Sequence, residues 1–327
     1  MSGDVDRAVA GRDTYVHGER GHPRTREERM VPREQPTTYY GRPVVKPPVW
    51  KPEIPFYFFF GGLAGASAVM ASVATFLGRP KLARRAWIGA FVGVTASPAL
   101  LVSDLGMPSR FLNMLRVFKV TSPMSLGAWL LAANGGATTL GAALNLAQPD
   151  RRGGAPEVAA AALGAPLATY TAVLICNTAV PAWSEARAEM PFVFGASAAA
   201  SAAGAALLSV SPEDAAPARR LGVAAAVVEE AATVVMHKRL GPLASAYEEG
   251  KAGRFGKAAR VLSLAGAAAL AAGGHRRSVA AAGGSLLLAG SVCKRWSVFK
   301  AGFQSAEDPL QTVRTQRERI ALEGGGA

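Results

Sequence analysis

Cysteine and histidine are the residues this chain nearly does without. Its two cysteines, Cys176 and Cys293, both fall in apolar segments, and neither has a second cysteine at metal-ligand spacing. No iron–sulfur cluster or zinc site can be built from them, and they read as buried structural thiols. The four histidines, His17, His22, His237 and His275, lie in the N-terminal tail or at the ends of apolar segments. They are not placed to pair across helices as axial haem ligands, so no haem is expected. No strand pattern is evident, so a Gly-rich turn of the kind that cradles phosphate after a strand is missing too. Residues 1–51 lack the apolar run of a signal peptide, and no apolar region follows an arginine pair there.

Apolar residues are what the chain has. They make up 50% of 327 residues against 18% charged, and they arrive in blocks of about twenty separated by short charged loops. At 1.5 Å per residue such a block matches a hydrocarbon core of about 30 Å. The pattern predicts an all-α polytopic membrane protein with eight spans, at 54–77, 86–103, 124–146, 156–180, 191–210, 217–237, 257–274 and 278–296. The last two are short, and a single broken hairpin is the alternative there. A soluble Ala-rich bundle would need a polar stripe that these segments lack. Four units are expected: a basic polar tail at 1–52, disordered or partner-bound, a first four-helix bundle at 53–190, a second at 191–297, and a C-terminal tail at 298–327. The formal net charge of +13 sits in tails and loops. Anionic lipid headgroups and the positive-inside bias account for it without nucleic acid, and the tails place both termini in the cytoplasm of a plasma-membrane protein.

Against this apolar background a few polar residues stand out. Asp104 ends the second span, with Arg110, Arg116 and Lys119 following along the same connection; it reads either as an interfacial ion pair or as a proton-accepting, ligand-orienting carboxylate. Tyr170 and Asn177 are seven residues apart in the fourth span, which places them on one helix face, able to glue helices or to present donors to a carbonyl ligand. Glu229 and Glu230 lie in the middle of the sixth span, where a charge costs at least about 2.5–3.5 kcal/mol. With His237 seven residues beyond Glu230 they are candidates for proton transfer; protonated or ion-paired packing is the other reading. A faint repeat links "PFYFFFGGLAGASA" from Pro55 with "PFVFGASAAASAAG" from Pro191 and suggests two halves of common descent.

The stretches "YFFFGGLAGAS", "SDLGMPSRFLNMLRVFKVTSPMSLGAW", "YTAVLICNTAVPAWSEARAEMPFVFGASAAASA" and "VFKAGFQSAEDPLQTVRTQRER" together resemble the NrfD/polysulfide-reductase membrane subunit family over about residues 53–320. The resemblance implies eight helices in two four-helix bundles. It also implies a haem-free, cluster-free anchor that binds menaquinone or ubiquinone and is not catalytic alone. Its partners would be a ferredoxin-like iron–sulfur subunit and a molybdopterin catalytic subunit, with electrons passing between them and the quinone pool. Tyr170 matches the family's fourth-span quinone tyrosine. The family's first-span Asn and His have no counterparts, because Pro55-Phe56-Tyr57-Phe58 stands there and leaves Tyr57 as the polar candidate. The expected quinone site is therefore Tyr57, Asp104, Tyr170 and Asn177, with Arg110, Arg116 and Lys119 as docking charges for the partner. A secondary transporter or proton-translocating protein is the competing reading, since midplane acids and repeated Gly-rich spans occur there as well.

Overall fold

The computed structural model describes residues 44–105 and 107–313. They form helices joined by irregular connections, without strands. Eight long helices carry the fold: α1 (Glu53–Phe76), α2 (Pro80–Asp104), α3 (Pro123–Ala147), α4 (Ala155–Cys176), α6 (Met190–Ser209), α7 (Ala216–Leu240), α9 (Gly250–Gly273) and α10 (Arg277–Glu307). Two short ones, α5 (Pro181–Glu185) and α8 (Ser245–Glu248), lie in connections. Prolines sit in the first turn of α2, α3, α4, α5, α6 and α7, where the missing N–H costs nothing. The last two expected spans, for which a single broken hairpin was the alternative, are two full helices, α9 and α10, packed along their length. The tail 1–52 lies outside the described residues except for 44–52, as do 314–327.

Five helices, α1, α2, α4, α6 and α9, are long and apolar enough to cross a membrane. The other three are more polar: α3 buries Asn134, Thr138 and Asn145, α7 carries Glu229 and Glu230, and α10 carries Lys294 and Arg295. The chain is a multi-pass integral membrane protein.

Successive long helices run antiparallel, which defines two faces. The proximal face gathers residues 44–52, the 105–122 connection, α5, α8 and the end of α10. Contacts across it are dense: Trp50 stacks on Trp183 at 5.4 Å, the Trp183 indole donates to the Val298 carbonyl at 2.8 Å, and Tyr247 donates to the Ala182 carbonyl at 2.8 Å. Short links make the distal face.

α1 is the central helix, touching α2 and α4 on one side and α6 and α10 on the other. It approaches its neighbours at backbone distance. A Cβ on Gly65 would stand 2.4 Å from the Gly164 carbonyl oxygen of α4, and one on Gly93 of α2 would stand 2.7 Å from the Ala64 backbone. Small residues at helix contacts are how helices associate where lipid removes the hydrophobic drive. The faint repeat has a physical counterpart: Phe58 and Phe194, each three residues after its Pro, are fully buried and face each other at 6.2 Å.

Replacing Gly65 by Val forces α1 and α4 apart, an overpacking cost of about 1–3 kcal/mol. The expected outcome is a lower temperature at which the monodisperse peak is lost on size-exclusion chromatography of heated, detergent-solubilised protein.

Candidate functional site

On the proximal face the start of α1, the ends of α2 and α4 and the start of α3 meet, with Tyr57 beside Tyr170 and Asp104 at the Lys51–Glu53 entry to α1. Tyr170, buried one and a half turns from the end of α4, donates its hydroxyl hydrogen to the Pro123 carbonyl at 2.6 Å. That carbonyl belongs to the first turn of α3, which Ser122 caps by accepting the Ser125 N–H. The ring occupies space that only glycine leaves open: a Cβ on Gly127 would fall 2.0 Å from the Tyr170 hydroxyl. Tyr57, also buried, lies close enough to interact electrostatically with Tyr170.

Asp104 is buried at the end of α2 and accepts the backbone N–H of Lys51 at 3.0 Å. Glu53, in the first turn of α1, is the neighbouring carboxylate, and its Oε2 has no hydrogen-bond partner among the described residues. Arg110, Arg116 and Lys119 stand exposed on the 105–122 connection. The contact recorded for Asp104 is thus with the pre-helical strap, which passes nearer to it. Asn177 is the exposed C-cap of α4, which ends at Cys176, with φ −86° and ψ 49°. Its N–H still donates to the Val173 carbonyl at 3.1 Å, so it keeps its place two turns beyond Tyr170 but at the open end of the helix.

Tyr170 lines a cavity of about 580 Å³ between α3, α4 and the connection before α3. Its walls are apolar, with Phe118, Trp129, Leu130, Leu163 and Val173 around the phenol. Such a cavity suits a flat apolar ring whose carbonyl accepts from one phenol.

The second group of residues assembles in the other half. Glu229 is almost fully buried, with Oε1 3.5 Å from Lys294 Nζ and Oε2 unpartnered among the described residues. Lys294 also donates to Thr233 Oγ1 at 3.1 Å. Arg295 is fully buried, donates to the Phe194 carbonyl at 2.9 Å and lies 3.8 Å over the Phe194 ring. Glu230 turns the other way to pair with Arg260, and His237 Nδ1 lies 3.1 Å from Glu248 Oε1. Glu230, His237, Glu248, Arg260 and Lys294 all line one cavity of about 480 Å³ that opens at the proximal face. Sequence reasoning placed Lys294 and Arg295 at the end of a span. In the fold α10 continues to Glu307, which puts Lys294 about 20 Å from that end, level with Glu229. The spacing of Glu229 and Lys294 from their helix ends is the signal that would have paired them.

A polysulfide reductase family model of the NrfD type matches residues 36–307. The chain belongs to this family. No curated protein matches it. Membership makes this NrfD-family chain a membrane subunit of the kind found in multi-subunit redox complexes, a family associated with quinones. Among the described residues no group of three or more His, Cys, Asp or Glu is placed to hold a metal ion.

The site is braced from the side by Glu189, before α6, whose carboxylate takes the Arg239 guanidinium at the end of α7. That hydrogen bond holds the Glu189 carboxyl below the usual carboxylate range. A depressed carboxylate stabilises the fold above its unfolded value, about 4.3, and the contribution fades as pH falls through the folded value. Arg239→Gln is therefore expected to lower the thermal midpoint modestly at neutral pH. The difference from wild type should close below about pH 4 in thermal-shift titrations.

Proposed function

We propose that the protein is the quinone- or quinol-binding anchor of a membrane oxidoreductase, exchanging electrons between menaquinone or ubiquinone and a ferredoxin-like iron–sulfur subunit that serves a molybdopterin catalytic subunit. The observation that carries this reading is the Tyr170 hydroxyl, buried in the wall of an apolar cavity beside Tyr57 and beneath the proximal face. The cavity fits the group: its walls match an apolar ring, and the Tyr170 O–H, now given to the Pro123 carbonyl, is the donor a quinone oxygen would take.

When bound, the quinone supplies two-electron, two-proton chemistry. Tyr170 orients its headgroup by hydrogen bonding. Tyr57 excludes water behind the phenol, and Asp104, held by the Lys51 N–H, is the nearby carboxylate to accept a proton. Asn177, exposed at the C-cap, stands at the rim rather than in the pocket. The strap 44–52 and the 105–122 connection form the surface that would receive the iron–sulfur subunit, with Arg110, Arg116 and Lys119 as its charges. Eight spans in two four-helix bundles, α1 to α4 and α6, α7, α9 and α10, agree with the neighbour relations of the helices. The basic tails support a cytoplasmic position for this face, at the plasma membrane.

In the second half, Glu229, Glu230 and His237 are proton-handling residues in this reading. The cavity that joins Glu230, His237 and Lys294 supports it, since it carries polar groups from the proximal face to mid-helix. The same cavity favours the alternative reading of a transporter or proton-translocating protein.

Mild-detergent purification from native membrane, with identification of co-purifying chains and a quinone-analogue reduction assay, tests the proposal. Iron and molybdenum proteins should co-purify. Tyr170→Phe should weaken the analogue about three- to tenfold, the worth of one hydrogen bond, with the chain still folded. A lone polypeptide whose Tyr170→Phe variant is indistinguishable from wild type would remove the anchor reading.

A further inference from the structure

α4 and α6 touch near the proximal face and diverge toward the distal one. A Cβ on Gly195 of α6 would lie 3.0 Å from the Thr169 methyl of α4, so the two helices close on each other there. Below that point a cleft of about 430 Å³ opens between α4 and the α6–α7 pair, floored by α1. Its walls are apolar over their whole length, and the α1 wall from Ala66 to Leu77 runs about 16 Å. Val73 and Leu77 are 49% and 68% exposed, so the cleft faces outward, where lipid surrounds the chain.

At its distal mouth stands Arg79, in the link between α1 and α2. Arg79 is exposed, and its side chain makes no hydrogen bond or ion pair among the described residues. Asp214, whose carboxylate also feels the Arg79 charge, is held by the Lys81 ammonium at 2.9 Å and by the Ser211 hydroxyl at 2.7 Å. Asp150, Arg151 and Arg152 border the pocket on the other side of Arg79, and Arg151 is itself engaged by Glu157. An unpaired guanidinium at the level of lipid headgroups, at the end of a cleft one acyl chain long, is complementary to a single class of molecule.

We propose that this cleft is a binding site for one anionic phospholipid, its acyl chain lying along α1 between the two halves of the protein and its phosphate received by Arg79. The charge at the mouth decides between lipid and other apolar occupants. A quinone tail has no anionic end for Arg79. The lipid would fill the space where the two halves diverge and so join them at the distal face, as the Phe58–Phe194 contact joins them nearer the proximal face. The proposal does not depend on the quinone reading.

Native mass spectrometry of the full chain, or of its complex, purified in mild detergent and titrated with phosphatidylglycerol or phosphatidylcholine, tests it. Wild type should retain one phosphatidylglycerol in preference to phosphatidylcholine. Arg79→Gln should reduce that preference about fivefold, the effect of one basic residue at an anionic surface. Ala199→Leu, which fills the cleft without touching Arg79, should lose the bound lipid of either headgroup, and helix content by circular dichroism checks that both variants fold. Equal retention of the two lipids by wild type, an Arg79→Gln variant that keeps the preference, or an isoprenoid quinone found in the cleft would each overturn the proposal.

Discussion

Everything in this protein is arranged around the close approach of α1 to its neighbours. A central helix that must touch four others cannot carry large side chains on every face, and the Gly65–Gly164 and Gly93–Ala64 contacts let backbones meet where methyl groups would collide. In a bilayer such contacts replace the hydrophobic drive with dispersion and tight packing. α1 begins at the proximal face beside the ends of α2 and α4, so the packing that holds it also delivers Tyr57 to Tyr170 and the pre-helical strap to Asp104. The site is a consequence of the central helix, and Gly127 completes it by leaving room for the tyrosine ring.

A second constraint is charge inside lipid. A buried carboxylate or guanidinium without a partner is expensive, and this chain places Glu229, Lys294 and Arg295 at one level near mid-helix. The Lys294 ammonium and the Phe194 carbonyl and ring meet part of that demand. The cavity beside them, lined by Glu230, His237 and Lys294, offers polar surroundings for the rest.

Much of this could be read from the residues. Blocks of about twenty apolar residues fix helices of membrane length, and five of the eight long helices meet that description by composition alone. Tyr170 and Asp104 were conspicuous because a phenol and a carboxylate at the ends of apolar segments need partners. The identity of those partners was not legible. The Pro123 carbonyl and the Lys51 N–H are backbone atoms 47 and 53 residues away, and any residue type would supply them. Periodicity did not tell that Asn177 would lie exposed, because the helix ends one residue earlier.

The sequence by itself determined the class of protein: its apolar blocks require helices in a membrane. Only the tertiary structure decided which polar residues meet. α10 runs eleven residues past the expected span end, so Lys294 and Arg295 move from the membrane edge to the middle of the second half, opposite Glu229. Hydropathy records how apolar a window is. It carries no information about where the helix axis ends or which neighbour faces it, and those distances set whether two charges pair.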